Sequence, residues 1–183
     1  MDINYIKIRP IWGQKIDVKT SSKVPFNIHK NLSISTTKEN GLISIGATHE
    51  RYKISGEAKR EVSNKLIEDA KNMYELNNIE LINEFVGVRA GSIDFMPIIG
   101  DVINSNQTID KYPNIKNGLK IRDDKLIKQA NLFIFNGVGG RGFVLASLLA
   151  KTLSEFLINN SEIDKNLKSD RLFYKWARKL NQI

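Results

Sequence analysis

Four glycines stand close together in one loop of the sequence: Gly137, Gly139, Gly140 and Gly142. Glycine lets the backbone turn tightly and approach a ligand closely. A predicted strand, Asn131–Phe135, precedes the loop and a predicted helix follows it, so the free N–H groups of the helix start point back at the loop. Such a helix end favours a phosphate, a carboxylate or another group that carries negative charge. A tight turn with nothing bound explains the same glycines equally well.

The spacing of these glycines differs from that of a dinucleotide site. The loop reads GVGGRG rather than GxGxxG, and no βαβ unit with a ribose-binding acid follows it. Arg141 lies between two of the glycines and adds positive charge at the helix start. The alternative for Arg141 is an ordinary surface arginine.

A second candidate, Arg89, follows an apolar strand in the segment GVRAGSIDFMPIIGD, Gly87–Asp101. An arginine at the end of a buried strand can bind a carboxylate through two parallel hydrogen bonds. It can also form an internal salt bridge, for which Asp94 is the nearest acidic residue that follows it. The residues alone favour the salt bridge.

Other kinds of chemistry find little support in the composition. The chain has no cysteine and only two histidines, so a thiolate site is excluded and a histidine-rich metal site is not expected. No Ser/His/Asp arrangement and no useful pair of carboxylates stands out, so we assign no catalytic residue and no metal ligand. Any reaction would therefore depend on a cofactor.

The net charge is +8 and the pI is about 9.6. The excess lies near the two ends, residues 1–30 and 161–183, and neither end has a run of basic residues or basic residues interleaved with several aromatics. A lysine-rich solvated surface is therefore favoured over a nucleic-acid site. No signal peptide is evident, and the apolar stretch FVLASLLAKTLSEFL is too short to span a bilayer. We expect a cytoplasmic protein with no membrane contact.

The elements that must position these residues follow from periodicity and turn signals. Before the first helix we predict short strands on either side of a turn at Pro10–Gly13 and a hairpin of Leu32–Thr36 with Leu42–Ile45. The helices are predicted at Gly56–Leu76, at Phe143–Leu157 with Leu145, Leu148, Leu149, Leu153 and Phe156 buried, and at Asp170–Leu180. A further strand is predicted at Ile79–Val88. The stretch Ala90–Lys120 is predicted to be loop-rich, and its length indicates that it is either functional or partly ordered by a partner.

Four segments, in this order, also occur together in one known family. They are PIWGQK (Pro10–Lys15), NGLISIGATHE (Asn40–Glu50), GVRAGSIDFMPIIG (Gly87–Gly100) and NLFIFNGVGGRGFVLASLLAKTLSEFL (Asn131–Leu157). With them the chain resembles the carboxyl-terminal half of the D-amino-acid-oxidase-like flavoenzymes. That family includes glycine and sarcosine oxidases and the flavin domain of the bacterial enzyme that completes methylaminomethyl-uridine in tRNA. Residues 159–183 match no part of the pattern.

The resemblance implies an α+β fold in which a mainly antiparallel sheet is flanked by helices. It implies part of a substrate-binding domain at 1–130, a strand and helix returning to the flavin domain at 131–158, and a linker with an amphipathic helix at 159–183. Members of the family begin with a Rossmann-type unit that carries GxGxxG and holds the ADP part of FAD, and no segment here matches that unit. We therefore expect a carboxyl-terminal fragment that lacks the FAD-binding half.

The resemblance also implies roles for matched residues. Arg89 would hold the substrate carboxylate, and Gly100 would lie where the chain passes the flavin edge. The residues over the pyrimidine end of the flavin would be Gly139, Gly140, Arg141, Gly142 and Phe143. The implied reaction is transfer of a hydride from the carbon next to an amine to FAD, followed by hydrolysis of the imine.

Two alternatives to an amine or amino-acid oxidoreductase stay open. The chain can be a non-catalytic product or a subunit whose partner carries the FAD-binding half. It can also be an RNA-facing domain of a tRNA-modifying flavoenzyme, an alternative that rests only on the +8 charge and the tRNA-modifying relatives. Besides a small amino-acid or amine substrate, the expected partners are that missing half and a second copy of this chain.

Overall fold

The computed structural model describes residues 3–37, 39, 41–54 and 56–181. The chain forms two compact units. One unit comprises Pro10–Arg89, and the other comprises the residues before Pro10 together with those from Ala90 onward. The division predicted from the sequence, at 1–130, 131–158 and 159–183, refers to roles in a complete flavoenzyme and remains a prediction.

The unit of residues 10–89 is built on a six-stranded sheet. Its strands are β1 (Ile8–Lys19), β2 (Ile28–His29), β3 (Ser33–Thr36), β4 (Leu42–Gly46), β5 (Glu50–Arg51) and β6 (Glu80–Ser92). The order is β2-β3-β4-β1-β5, and β6 also pairs with β1. Strands β3 and β4 form the predicted antiparallel hairpin, with Ile34 opposite Ile45. The turn residue Asn40 lies outside the described residues.

Helix α1 (Arg60–Lys71) packs on this sheet through Leu66 and Ala70. Burial of these side chains against Ile16, Ile34 and Ile45 forms the core of the unit. The helix is shorter than the predicted Gly56–Leu76. The apolar period continues beyond both ends of α1, but only these twelve residues are helical.

The start of α1 is held by a side chain from β1. Lys59, the N-cap residue, supplies no capping hydrogen bond from its own side chain. Gln14 is fully buried, its Oε1 accepts from the Lys59 amide at 2.9 Å, and its Nε2 donates to the Ser63 hydroxyl at 2.7 Å. The side chain of Gln14 thus accepts a hydrogen bond from a backbone N–H group at the start of α1, as a capping side chain does at other helices.

The second unit is built around an antiparallel pair of strands, β7 (Ile98–Ile103) and β8 (Lys128–Asn136). Between the two strands lie α2 (Ser105–Lys111) and two short 3₁₀ helices at Pro113–Asn117 and Asp123–Lys125. After β8 come a 3₁₀ turn at Gly139–Arg141 and helices α3 (Gly142–Asn159) and α4 (Asp170–Ala177). The main core of this unit contains Tyr5, Ile98, Ile115, Leu172 and Phe173.

The α+β fold class predicted from sequence is confirmed, with antiparallel sheets and flanking helices. Two local predictions are wrong. β1 is one continuous strand from Ile8 to Lys19, without a turn at Pro10–Gly13. The stretch Ala90–Lys120, predicted to be loop-rich, contains β7 and α2. Strand β7 reads IIGDVI and is buried on both faces, so it shows no alternation of apolar and polar residues, and α2 has only seven residues.

Helix α3 has a largely exposed apolar surface. Of its described residues only Leu149 is buried, while Leu148 is 63% and Phe143 is 99% exposed. Of the five residues predicted to be buried, only Leu149 is; Leu148 is exposed, and the other three, Leu145, Leu153 and Phe156, are half-buried. An apolar stripe does not itself supply the surface that would cover it. The helical stretch Gly139–Asn159 is 21 residues long and apolar enough to cross a membrane, so the argument that it is too short fails. Length and composition alone are weak support for a membrane span, and the absence of membrane contact remains a prediction.

Candidate functional site

Arg89 lies near the end of β6, over a position without a side chain. Its Nη1 donates to the carbonyl oxygen of Thr48 at 3.4 Å. A Cβ atom at Gly13 would overlap Nη1 and would lie 2.8 Å from Nη2 and 2.6 Å from the Thr48 oxygen. The guanidinium therefore occupies the space that any other residue at position 13 would fill.

Arg89 opens into a cleft of about 270 Å³ that is lined by residues of β1 and β6 with Ala47. Lys15 lies at the same cleft with its ammonium 4.5 Å from the centre of the Phe85 ring. No carboxylate of the described residues forms an ion pair with Arg89. A cleft with one unpaired guanidinium and an apolar wall is suited to a small ligand that carries a carboxylate.

The alternative partner expected for Arg89 is paired elsewhere. Both oxygens of Asp94 accept from Arg171, with Nε–Oδ2 at 2.9 Å and Nη2–Oδ1 at 3.1 Å. Burial acts to raise the pKa of Asp94, but the hydrogen bonds and charge of Arg171 outweigh it and the pKa is lowered. The Arg89–Asp94 salt bridge favoured by the residues alone is therefore wrong, because an arginine 77 residues farther along the chain binds this carboxylate.

Residues from β6, β7 and β8 hold the glycine loop tightly. Gly91, two positions after Arg89, forms a bridge with Val138, and the Ser92 amide donates to the Gly137 carbonyl at 3.3 Å. Gly137 has a φ of 78°, and a Cβ there would lie 3.0 Å from the Cβ of Ser92. Glycine is required at this position both for its backbone angle and for the close approach of the neighbouring strand.

The loop delivers the chain to the start of α3. No side chain caps this helix start, and its first turn has no acidic residue. Arg141 is exposed and its guanidinium donates to the carbonyl oxygen of Phe95, while Phe143 projects into solvent. A helix start that no side chain caps, beside an arginine, forms an electropositive spot that can hold an anionic group.

The structure places the predicted glycine Gly100 inside strand β7. It is buried, with a φ of 103°, and a Cβ there would lie 3.0 Å from Cδ1 of Ile163. The position therefore packs against the segment after α3. Gly100, Gly139, Gly140, Arg141, Gly142 and Phe143 all belong to the unit of β7 and β8, whereas Arg89 belongs to the other unit. Their assigned roles remain predictions.

The residues that position Arg89 were not identified from the sequence. Gly13 and Gln14 were part of the segment PIWGQK, and Gly13 was also placed in the predicted turn, but neither was given a role at the site. The Gln14 amide donates to the Thr48 hydroxyl at 2.9 Å, and the Thr48 amide donates to the Gln14 carbonyl at 3.1 Å. Gln14 thus fixes both the start of α1 and the residue whose carbonyl contacts Arg89. Within the described ranges, no three His, Asp or Glu side chains lie together in a way that could hold a metal ion.

An uncapped helix start after a glycine loop and an arginine cleft in an antiparallel sheet are the two features that the resemblance to the D-amino-acid-oxidase-like flavoenzymes predicts. Residues 3–156 match the family described as DAO, FAD dependent oxidoreductase. The chain belongs to this family.

Among the curated relatives is the tRNA 5-methylaminomethyl-2-thiouridine biosynthesis bifunctional protein MnmC of Campylobacter jejuni. It is 29% identical over 160 residues, which cover 86% of this chain and 26% of the relative. The protein of the same name from Leptospira interrogans is 26% identical over 186 residues, covering 94% of this chain and 28% of that protein. The chain thus spans about a quarter of the length of these relatives.

Among solved structures, glycine oxidase from Bacillus cereus matches with a TM-score of 0.65. The identity is 14%, and the match covers 87% of this chain and 38% of the oxidase. At this identity the likeness shows the fold alone.

Proposed function

We propose that this chain is part of an FAD-dependent oxidoreductase that oxidises the C–N bond of an amino acid or a secondary amine. The observation that carries the proposal is the position of the Arg89 guanidinium. Its guanidinium pairs with no carboxylate of the described residues, lies over Gly13 and opens into a cleft. A buried or half-buried arginine that serves only the fold is normally paired. The cleft therefore favours a carboxylate-bearing ligand.

The residues present fit one end of the cofactor. Gly139, Gly140, Arg141, Gly142 and Phe143 would hold the flavin, since the helix start offers N–H groups that no side chain caps. No segment of the sequence matches the GxGxxG unit that would hold the ADP part. When bound, FAD supplies the acceptor for the hydride that leaves the carbon next to the amine.

The residues of this chain would bind and orient the substrate rather than exchange protons with it. Arg89 would grip the carboxylate through two N–H groups, which fixes the direction of the rest of the molecule. Phe85 and Val86 would form the apolar wall of the cleft. The helix start and Arg141 would favour negative charge on the cofactor.

The names of the relatives suggest two substrate classes. Glycine oxidase is named for a free amino acid, and the Campylobacter and Leptospira relatives are named for biosynthesis of a modified tRNA base. We propose a substrate that carries both an amine and a carboxylate, attached to tRNA or free. A non-catalytic subunit that needs a partner with the FAD-binding half is the competing proposal.

A first experiment uses the chain as it is. Because the ADP-binding unit has no counterpart in the sequence, we expect the purified chain to bind FAD weakly or not at all. Gel filtration followed by an absorbance spectrum measures this. A stoichiometric flavin that stays with the protein would contradict the expectation.

A second experiment tests the activity itself. Residues 3–156 replace the matching segment of the Campylobacter jejuni relative, and the unexchanged relative is the control. We expect the chimera to purify yellow and to lose flavin absorbance when the control's substrate is added without oxygen. A folded chimera without flavin, or one whose flavin is never reduced, would refute the proposal.

The same chimera tests Arg89. Arg89→Lys should keep the flavin and raise the substrate concentration for half-reduction more than about tenfold, because lysine lacks the two-pronged planar donor. Arg60→Lys, an exposed change at the start of α1, is the control and should have no effect. Equal behaviour of the two variants would remove Arg89 from the site.

A further inference from the structure

The two basic ends of the sequence meet in one groove of the unit that contains β7 and β8. The groove has a volume of about 400 Å³, and Lys7 lines it together with Lys175, Trp176, Arg178 and Lys179. Lys7 precedes β1, whereas the other four residues belong to α4 and the turn after it. The chain between them is more than 160 residues long, so their proximity is not visible in the sequence.

The groove is strongly positive. Four cations line it and no carboxylate does. Lys7, Arg178 and Lys179 are exposed and form no ion pair with the described residues. Lys175 reaches Asp94 at 3.5 Å, but both oxygens of that carboxylate are already bound by Arg171. The charge of the groove is therefore largely uncompensated, which is costly for the fold and favourable for a polyanion.

Trp176 gives the groove a rigid flat surface. The indole is half-buried, and its ring centre lies 6.4 Å from that of Tyr5 and 6.1 Å from that of Phe173. These contacts fix its orientation while part of it stays open to the groove. An ordered aromatic ring among cations is the combination that proteins use to stack an unpaired base and hold the adjoining phosphates.

We propose that this groove binds a single-stranded segment of RNA, with Lys7, Arg178 and Lys179 at the phosphates and Trp176 against a base. This differs from the expectation from sequence, which treated the two basic ends separately and found neither a run of basic residues nor several aromatics interleaved with them. Binding of RNA in the groove does not depend on the proposed oxidoreductase function. Only the further step, that this RNA is the one to which the substrate is attached, rests on it. Most residues that line the groove lie after the family match, which ends at residue 156, and the exceptions are Tyr5, Lys7 and Ile93.

The test measures binding of the 183-residue chain, without flavin, to a fluorescein-labelled RNA of twelve unpaired nucleotides. The variant Lys7→Ala/Arg178→Ala/Lys179→Ala is compared with Lys23→Ala/Lys65→Ala/Lys71→Ala, which removes three exposed lysines of the other unit and leaves the same net charge. We expect the groove variant to bind at least about tenfold more weakly and the control to stay within about twofold. The slope of log K against log salt should fall by about two for three lost phosphate contacts to single-stranded RNA.

A fluorescence measurement tests the stacking. In a Trp12→Phe background Trp176 is the only tryptophan, and we expect its emission to be quenched by the unpaired RNA and much less by a twelve-base-pair RNA duplex. Equal losses in the two triple variants would overturn the proposal, as would equal binding of the duplex without quenching. Capture of the chain by phosphatidylserine vesicles that depends on the groove, with no binding of RNA, would identify a membrane surface instead. Because no flavin is present, failure of the oxidase proposal leaves these outcomes unchanged.

Discussion

The guanidinium of Arg89 lies where the side chain of residue 13 would be, and Gly13 makes that position available. Two strands of the same sheet form this contact: β6 contributes Arg89, and β1 contributes the gap at Gly13 that receives it. This relationship explains why glycine precedes glutamine in the segment PIWGQK. It also gives the candidate site a structural requirement that can be measured in the chain alone.

We predict that Gly13→Ala lowers the free energy of unfolding by about 1–3 kcal/mol, because the new methyl group overlaps Arg89 and the Thr48 carbonyl. Arg89→Ala should cost less than about 1 kcal/mol, since no carboxylate of the described residues loses its partner. In the double variant the penalty of Gly13→Ala should shrink by at least 0.5 kcal/mol or so. Urea unfolding of the four proteins measures this cycle.

The control for that cycle is Gly87→Ala on the same strand as Arg89. A Cβ at Gly87 meets no atom within 4 Å, so this variant should be neutral or slightly more stable than the wild type. Additive effects of Gly13→Ala and Arg89→Ala would contradict the contact. A loss of several kcal/mol in Arg89→Ala would show that Arg89 serves the fold rather than a ligand.

A second prediction concerns the ion pair of Asp94 with Arg171. The two side chains are only 17% and 12% exposed, and Arg171 also donates to the carbonyls of Lys168, Met96 and Pro97. Arg171→Ala should therefore cost about 3–5 kcal/mol, because a largely buried carboxylate and several carbonyls lose their donor. Urea unfolding at pH 7 measures the loss, and a loss below about 1 kcal/mol would contradict the assignment.

The same pair predicts a dependence on pH. The pKa of Asp94 is lowered in the folded chain from its ordinary 3.8. Its stabilising contribution is therefore complete above the pKa of the unfolded chain and is lost as the pH falls below about 4 and through the folded pKa. The difference in stability between the wild type and Asp94→Asn should be large at pH 7 and shrink toward pH 3. A difference that stays the same between pH 7 and pH 3 would contradict this prediction.

The elements with a regular alternation or a helical stripe could be predicted from the sequence, whereas β7 and the continuous strand β1 could not. The hairpin of β3 and β4 and the helix α4 follow from alternation and from the spacing of Leu172, Phe173 and Ala177. Strand β7 was missed because its apolar residues stand between Pro97 and the polar start of α2. Its burial depends on β8, which lies about 25 residues farther along the chain.

Some features of the candidate site could also be predicted from the sequence, and others could not. The glycine loop and Arg89 could be named as candidates because each follows an apolar stretch of sequence, and their roles remain predictions. The partner of Asp94 could not be identified, since Arg171 is distant in sequence and no local pattern connects the two. The contact between Arg89 and Gly13 could not be predicted either, because it depends on the pairing of β1 with β6, which are distant in sequence.

A third prediction concerns Gln14. It is fully buried and makes hydrogen bonds to Ser63 and to both the amide and the carbonyl of Lys59. Gln14→Ala should cost about 2–4 kcal/mol, because each buried polar group left without a partner costs about 1–3 kcal/mol. Gln107→Ala, at an exposed position of α2, is the matched control and should stay within about 0.5 kcal/mol. Equal effects in the two variants would mean that Gln14 does not hold the start of α1.

The last prediction concerns the exposed surface of α3. Phe143, Val144 and Leu148 are 99%, 79% and 63% exposed, which is unusual for large apolar side chains on adjacent turns of one helix. We predict that the chain forms a dimer or a higher oligomer at high concentration with this surface buried. Phe143→Ser/Leu148→Ser should weaken the association at least about tenfold, since each buried apolar side chain contributes about 1.5–3 kcal/mol. Phe26→Ser, at a position that is 61% exposed in the other unit, controls for the loss of a phenylalanine and should leave the association unchanged. Sedimentation velocity over a range of concentrations measures all three proteins, and a strict monomer at the highest wild-type concentration would refute the prediction.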